Sequence, residues 1–204
     1  MSFYQRLIDE TSQDRLAMLG APIIQGCMRG EVSVPSYIAF LEQAYHHVHH
    51  TVPLLRACKA ALPAHHAWLN DAMDEYIEEE QGHDEWILAD IDAAGGDAAA
   101  VRDGAPSAAT ELMVAYAYDG ITRRNPVVFF GMAHVLEGTS VQLASQAAGV
   151  LRQSLDLPQK AFTYLTSHGS LDIEHTKTFA DQLSLTGAFQ TGGLKHSYSA
   201  GVEY

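Results

Sequence analysis

His168, Asp172 and His175 lie at spacings of four, three and seven in the segment His168-Gly-Ser-Leu-Asp172-Ile-Glu-His175. On a helix these spacings share one face, so two imidazoles and a carboxylate point the same way. Such a set suits a divalent transition metal. The same spacing also fits a solvated polar helix face, so the pattern alone is a hypothesis. Glu80 and His83 form a second element, E-x-x-H, the pairing with which helix bundles build carboxylate-bridged two-metal sites. Glu78, Glu79, Asp84 and Glu85 surround it, which equally suits a solvated acidic face. Glu137 is the third element. It follows Val127–Leu136, a nearly unbroken apolar run, where a lone carboxylate is costly unless paired or metal-bound. His134 in that run reads as a hydrogen-bonded core histidine or a ligand's partner rather than a ligand.

Together the three elements offer three carboxylates and three imidazoles, enough to hold two ions of iron or manganese. Structural zinc would prefer thiolates, and neither Cys27 nor Cys58 falls near these positions. Open coordination positions on such a metal pair would admit dioxygen, chemistry that side chains alone cannot supply.

Helices must position these groups, and nearly the whole chain reads as helix. A first stretch runs from Phe3 to Met28, with a break expected near Gly20-Ala-Pro22. Gly30 suits a C-terminal cap, Ser33 or Ser36 an N-terminal cap, and Pro35 a first turn. Tyr37, Leu41, Ala44, Val48 and Val52 then form an apolar stripe at helical period, with His47 at its flank. A long helix is expected from His66 to Ala93, carrying Tyr76 two turns before His83. Residues 94–106 read as a glycine-containing loop. Ser107 caps a helix ending near Arg123-Arg124, and the apolar run from Val127 continues as helix through Val141 and Ala144. Lys160 to Thr166 reads as a short helix leading into the His168 segment. The expected division is a helical domain over 1–184 and a glycine-rich tail over 185–204, poorly ordered or packed as an extended strap.

A chain of 204 residues suits one domain with a proper core. The net charge of −13 opposes a nucleic-acid footprint. No apolar run approaches the ~20 residues of a membrane span. The mixed charges of the N-terminus do not resemble a signal peptide, and two widely spaced cysteines favour a reduced, cytoplasmic setting.

The stretch from Gly30 to Tyr45, with Phe40-Leu-Glu-Gln-Ala-Tyr45, resembles the haem-oxygenase-like superfamily that includes the TenA thiaminases and pyrroloquinoline-quinone synthase (TenA/PqqC-like). The E-x-x-H, the lone mid-helix glutamate and the H-x3-D-x2-H segment resemble its haem-oxygenase-like diiron oxidases and oxygenases. This resemblance covers Phe3 to Leu183. It implies an all-α, single-domain helical bundle, and metal ligands at Glu80, His83, Glu137, His168, Asp172 and His175. It also implies two irons per chain (or manganese), dioxygen as co-substrate, and a small-metabolite substrate: an amino acid, amine or fatty acid. A homodimer is expected, with an external electron donor allowed for. Tyr45, His47, Tyr76 and His134 are candidates for the substrate pocket. Two departures stand out. Many members carry a further glutamate near the positions held here by His47 or Tyr76, and members usually continue with another helix where this chain has its tail. Thiaminase chemistry is not expected, because no cysteine follows Cys58 and Glu137 stands near the nucleophile's position. A cofactorless oxidase like pyrroloquinoline-quinone synthase, or an inert scaffold that binds metal incidentally, are the alternatives.

Overall fold

The breaks between helices follow from where the sequence removes or diverts backbone hydrogen bonds. The computed structural model describes the backbone of residues 3–167, 185–191 and 194–200, and the side chains of 5–136, 139 and 143–167. The expected first helix is three: α1 (Phe3–Glu10), α2 (Ser12–Leu19) and α3 (Pro22–Arg29). The break at Gly20-Ala21 was expected, but the one at Thr11 was not. There the Thr11 hydroxyl donates to the Leu7 carbonyl (2.6 Å) and the Ser12 hydroxyl to Asp9 (2.7 Å), a local competition with the helix ladder. Gly30 caps α3 in the left-handed region, at φ 68°.

Ser33 accepts a hydrogen bond from the Ser36 amide and opens α4 (Val34–Val48), with Pro35 in its first turn. The apolar stripe does not run on in one helix. The chain turns at His49-His50 and restarts as α5 (Thr51–Ala61). Pro53 explains this, since it lacks an amide hydrogen and fits a first turn but not an interior. The long helix expected from His66 to Ala93 is likewise divided. A 3₁₀ segment (Ala64–Leu69) leads into α6 (Asn70–Glu80), and α7 (His83–Ala93) follows an interruption at Gln81-Gly82. Within the stretch read as a loop lies a short helix, α8 (Ala98–Asp103), capped by Asp97 on the Ala100 amide.

Ser107 caps α9 (Ala108–Asp119), which widens into a π-helical turn over Gly120–Arg124. α10 (Val128–Leu155) is continuous for 28 residues, as the apolar pattern through Ala144 required. A 3₁₀ turn (Gln159–Ala161) and helix α11 (163–167) follow. In the tail, β1 (Leu185–Thr191) and β2 (Leu194–Ala200) pair as an antiparallel hairpin, with Leu185 opposite Ala200 and Thr191 opposite Leu194. The body of the fold is thus all-α, as expected. No helix among the described residues is long and apolar enough to cross a membrane.

Two apolar clusters hold the helices together. In the first, Tyr37 and Leu41 of α4 meet Ile87 and Ile91 of α7, Leu151 of α10 and Phe162. In the second, Leu54, Leu55 and Cys58 of α5 meet Met73 and Tyr76 of α6, Ile121, and Phe129 and Phe130 of α10. Leu41, Leu54, Leu55 and Leu151 are fully buried, so truncating any one to alanine costs about 2–5 kcal/mol. Polar ties set the register between layers. The Tyr37 hydroxyl donates to the Ala161 carbonyl (2.7 Å), and the Gln43 side-chain oxygen accepts from the Ser107 amide (2.9 Å) and the Thr110 hydroxyl (2.7 Å).

Candidate metal centre and cavity

Glu80 is the last residue of α6 and His83 the first of α7. The two do not lie on one helix, which corrects the sequence expectation of a single helical turn. Gln81 is extended and Gly82 takes φ 92°, a conformation that costs a side-chain-bearing residue far more than glycine. The break nevertheless keeps the pair together: His83 Nδ1 lies 3.1 Å from Glu80 Oε2, and both side chains are buried. The neighbouring Glu75, Glu78 and Glu79 are exposed, so the acidic face is real and Glu80 alone turns inward from it. Trp86, one turn into α7, stacks on the His83 ring with centroids 4.3 Å apart and fixes its plane.

The pair has the chemistry of half a metal site. Donor atoms 3.1 Å apart are as close as neighbouring ligands of one ion bound at about 2.1 Å from each. A carboxylate at a helix C-terminus faces the electronegative end of the macrodipole, so a shared cation stabilises it there. Among the described residues no group of three or more histidine, cysteine, aspartate or glutamate side chains converges on a metal position. The Glu137 side chain and residues His168, Asp172 and His175 lie outside the described residues.

Glu80 forms part of the wall of a cavity of about 230 Å³. His47, Val48 and Thr51 line it from the junction of α4 and α5, and Met18, Leu19, Ile23, Ile24, Cys27 and Met28 from α2 and α3. α10 lines it from Phe129 through Met132, Ala133 and Leu136 to Ala144, Ala147 and Leu151. Met132, Ala133 and Leu136 on that face are only half-buried and give onto the cavity, although the sequence reads as apolar all round, whereas Phe129 and Leu151 also belong to the core clusters. Tyr164 and Leu165 of α11 complete the wall.

Of the four pocket candidates, His47 lines the cavity. Burial pushes its pKa below the ordinary histidine value, His50 lowers it further, and Glu80 opposes the shift. Tyr45 is buried in the first core cluster, stacked on His49, and Tyr76 is buried in the second. His134 stands half-buried on α10, its pKa lowered by burial and then by Arg15. None of these three is among the described lining residues.

Sequence reasoning missed the contribution of α2 and α3. The apolar positions Ile23, Ile24, Cys27 and Met28, spaced to share one helix face, were the available signal. It also missed Asp90, fully buried on α7 two turns beyond His83. Its two carboxylate oxygens accept the Thr163 amide (3.0 Å) and the Tyr164 amide (2.8 Å), tying the first turn of α11 to α7. Burial raises its pKa, and the amide bonds oppose the shift. The argument applied to Glu137 would have found it, since Asp90 too is a lone acid in an apolar run, Trp86-Ile-Leu-Ala-Asp-Ile91.

Residues 38–189 match the model of a family described as iron-containing redox enzymes. A domain of unknown function with a heme oxygenase-like fold from Shewanella denitrificans OS217 superposes with a TM-score of 0.76 at 22% identity, over 88% of this chain and 78% of that one. A TenA homolog from Pseudomonas syringae pv. tomato superposes with a TM-score of 0.67 at 12% identity, over 87% of this chain and 79% of that one. At these identities both show the fold alone. No curated protein matches the chain in sequence.

Proposed function

The chain belongs to the iron-containing redox enzymes, a family with the haem-oxygenase-like fold, and from that premise we propose that it is a non-haem diiron oxidase or oxygenase that uses dioxygen on a small metabolite. The observation that carries this reading is the buried Glu80–His83 pair at the wall of an apolar cavity. Glu80 and His83 would hold metal with Glu137, His168, Asp172 and His175, the set that the sequence motifs imply. Iron bound there would supply reductive activation of dioxygen.

The remaining residues define the surroundings of that chemistry. Trp86 holds the His83 ring in plane, which removes a rotation that a ligand would otherwise lose on binding. Leu54, Phe129 and Met132 share the cavity wall with Glu80 and make it largely apolar, which strengthens electrostatic interactions within it. His47 is favoured in its neutral form, with one ring nitrogen to donate and one to accept a hydrogen bond from a bound molecule. The Thr51 hydroxyl, on the same wall, can do either.

Anaerobic titration with ferrous iron tests the proposal. About two ions per chain should bind, with loss of stoichiometric uptake in Glu80→Ala and His83→Ala proteins that keep the wild-type circular dichroism. An oxygen pulse should then change the absorbance of the loaded protein. Absence of stoichiometric uptake by the wild type refutes the diiron reading. Turnover by chelator-treated protein would instead identify a cofactorless oxidase.

A further inference from the structure

α9 carries apolar residues on the side it turns away from the body as well as on the side it buries. Thr110, Val114 and Ala117 face inward, with the Thr110 hydroxyl tied to Gln43 of α4. The outward face carries Ala108, Ala109, Leu112, Ala115 and Tyr116, all exposed. Leu112 and Tyr116 are 70% and 59% exposed and stand one turn apart. Gly120 extends that row by one more turn, and Val128 of α10, itself 43% exposed, covers it, with Cγ1 2.8 Å from where a Gly120 Cβ would stand. Single exposed apolar side chains are ordinary on a protein surface, but large ones adjoining in a row mark a contact surface. A helix with apolar residues on its outer face as well as its inner one is built to be covered.

The charges beside this row say what covers it. Glu111 is exposed next to Leu112. At the other end the Arg124 guanidinium folds back over the Tyr116 ring, 5.3 Å from its centroid, with Nη1 donating to the Tyr116 hydroxyl at 3.4 Å. An acid therefore flanks one apolar anchor and a cation flanks the other. A two-fold axis level with residue 114 would cross two copies of α9 antiparallel and set Leu112 against the partner's Tyr116. The same axis lays each Arg124 beside the partner's Glu111. Each copy carries a net charge of −13, so two copies can associate only where charges are locally matched in this way. We propose that the outward face of α9 is an isologous interface with a second copy of this chain, centred on Leu112 and Tyr116 and closed at both ends by Glu111–Arg124 pairs. This names the face that the expected homodimer leaves open, and it does not depend on the metal reading.

Sedimentation velocity of the full chain over a range of concentrations tests it. The wild type should be a dimer, and Leu112→Glu should raise its dissociation constant roughly 100-fold or more, because each dimer loses that anchor twice. Tyr116→Ser provides a second break at the other anchor. Glu111→Arg and Arg124→Glu should each be monomeric alone and should form a mixed dimer when combined, since every changed charge then meets its opposite. All four positions are exposed, and each variant should keep the wild-type circular dichroism. A monomeric wild type overturns the proposal, as does a dimer that survives both Leu112→Glu and Tyr116→Ser. Charge variants that still dimerise alone, or that stay monomeric when mixed, overturn it equally.

Discussion

Replacing Asp90 tests how α11 is held against the rest of the fold. The carboxylate is fully buried and accepts the Thr163 and Tyr164 amides at 3.0 and 2.8 Å. Asp90→Ala leaves both donors at a helix start without their acceptor, in a space closed to water. At about 1–3 kcal/mol for each orphaned donor, less the relief of desolvating a carboxylate, the expected loss is about 2–5 kcal/mol. Asp90→Asn, isosteric with the protonated acid, keeps one acceptor oxygen and should lose less than the alanine variant. The pH dependence has a definite sign. Burial raises the folded pKa of Asp90 above its ordinary value of 3.8, so its stabilising contribution is full below that value and declines as pH rises through the folded pKa. The stability gap between wild type and Asp90→Asn should therefore be widest at the acidic end and narrow toward neutrality. Urea unfolding of the three proteins between about pH 4 and 7 measures this directly. An alanine variant as stable as wild type, or a gap that widens with pH, refutes the reasoning.

Gly82→Ala isolates the backbone contribution at the turn between Glu80 and His83. No heavy atom lies within 4 Å of where its Cβ would stand, so the cost is conformational, about 1–2 kcal/mol at φ 92°. Denaturant unfolding should show that loss, with weaker ferrous binding alongside; an unchanged or raised stability would refute it. Cys58 is buried, its thiol donates to the Pro126 carbonyl, and burial pushes its pKa up to about 11. In a Cys27→Ser background, an aromatic disulfide reagent at pH 8 should therefore label it far more slowly than it labels the urea-unfolded chain, and equal rates would refute the assignment.

What could be read from the sequence follows from which forces are local. The caps at Ser33 and Ser107, the stop at Gly30 and the unbroken α10 each depend on a few adjacent residues, and all were legible. The interruptions at Thr11, at His49-His50 and at Gln81-Gly82 were not. Hydrophobic period runs through each of them, whereas a hydroxyl, a proline four residues on or a single glycine decides where the ladder ends. The E-x-x-H pair was found for a reason that needed correcting, because a turn between helices rather than one helical turn brings its two groups together. His47 was placed at a pocket by its flanking position on α4. The opposite wall comes from α2 and α3, and no local pattern says which helix they cover. That information resides in how the layers stack, and in long-range ties such as Asp90 to α11.

The interruption at Gln81-Gly82 matters for chemistry beyond geometry. In an unbroken helix Glu80 and His83 would sit mid-element, where helix-end electrostatics are weak. As built, Glu80 terminates α6 and faces its carbonyl end, an environment that disfavours a bare carboxylate and favours one sharing a cation. Burial acts in the same direction, since a desolvated carboxylate is stabilised by a partner far more than an exposed one. His83 cannot drift away as that partner changes, because Trp86 stacks on its ring and α7 is packed through Ile87 and Ile91 into the first core cluster. The stability of the core thus holds the Glu80–His83 pair in a fixed geometry, which is the preorganisation that the proposed iron site would need.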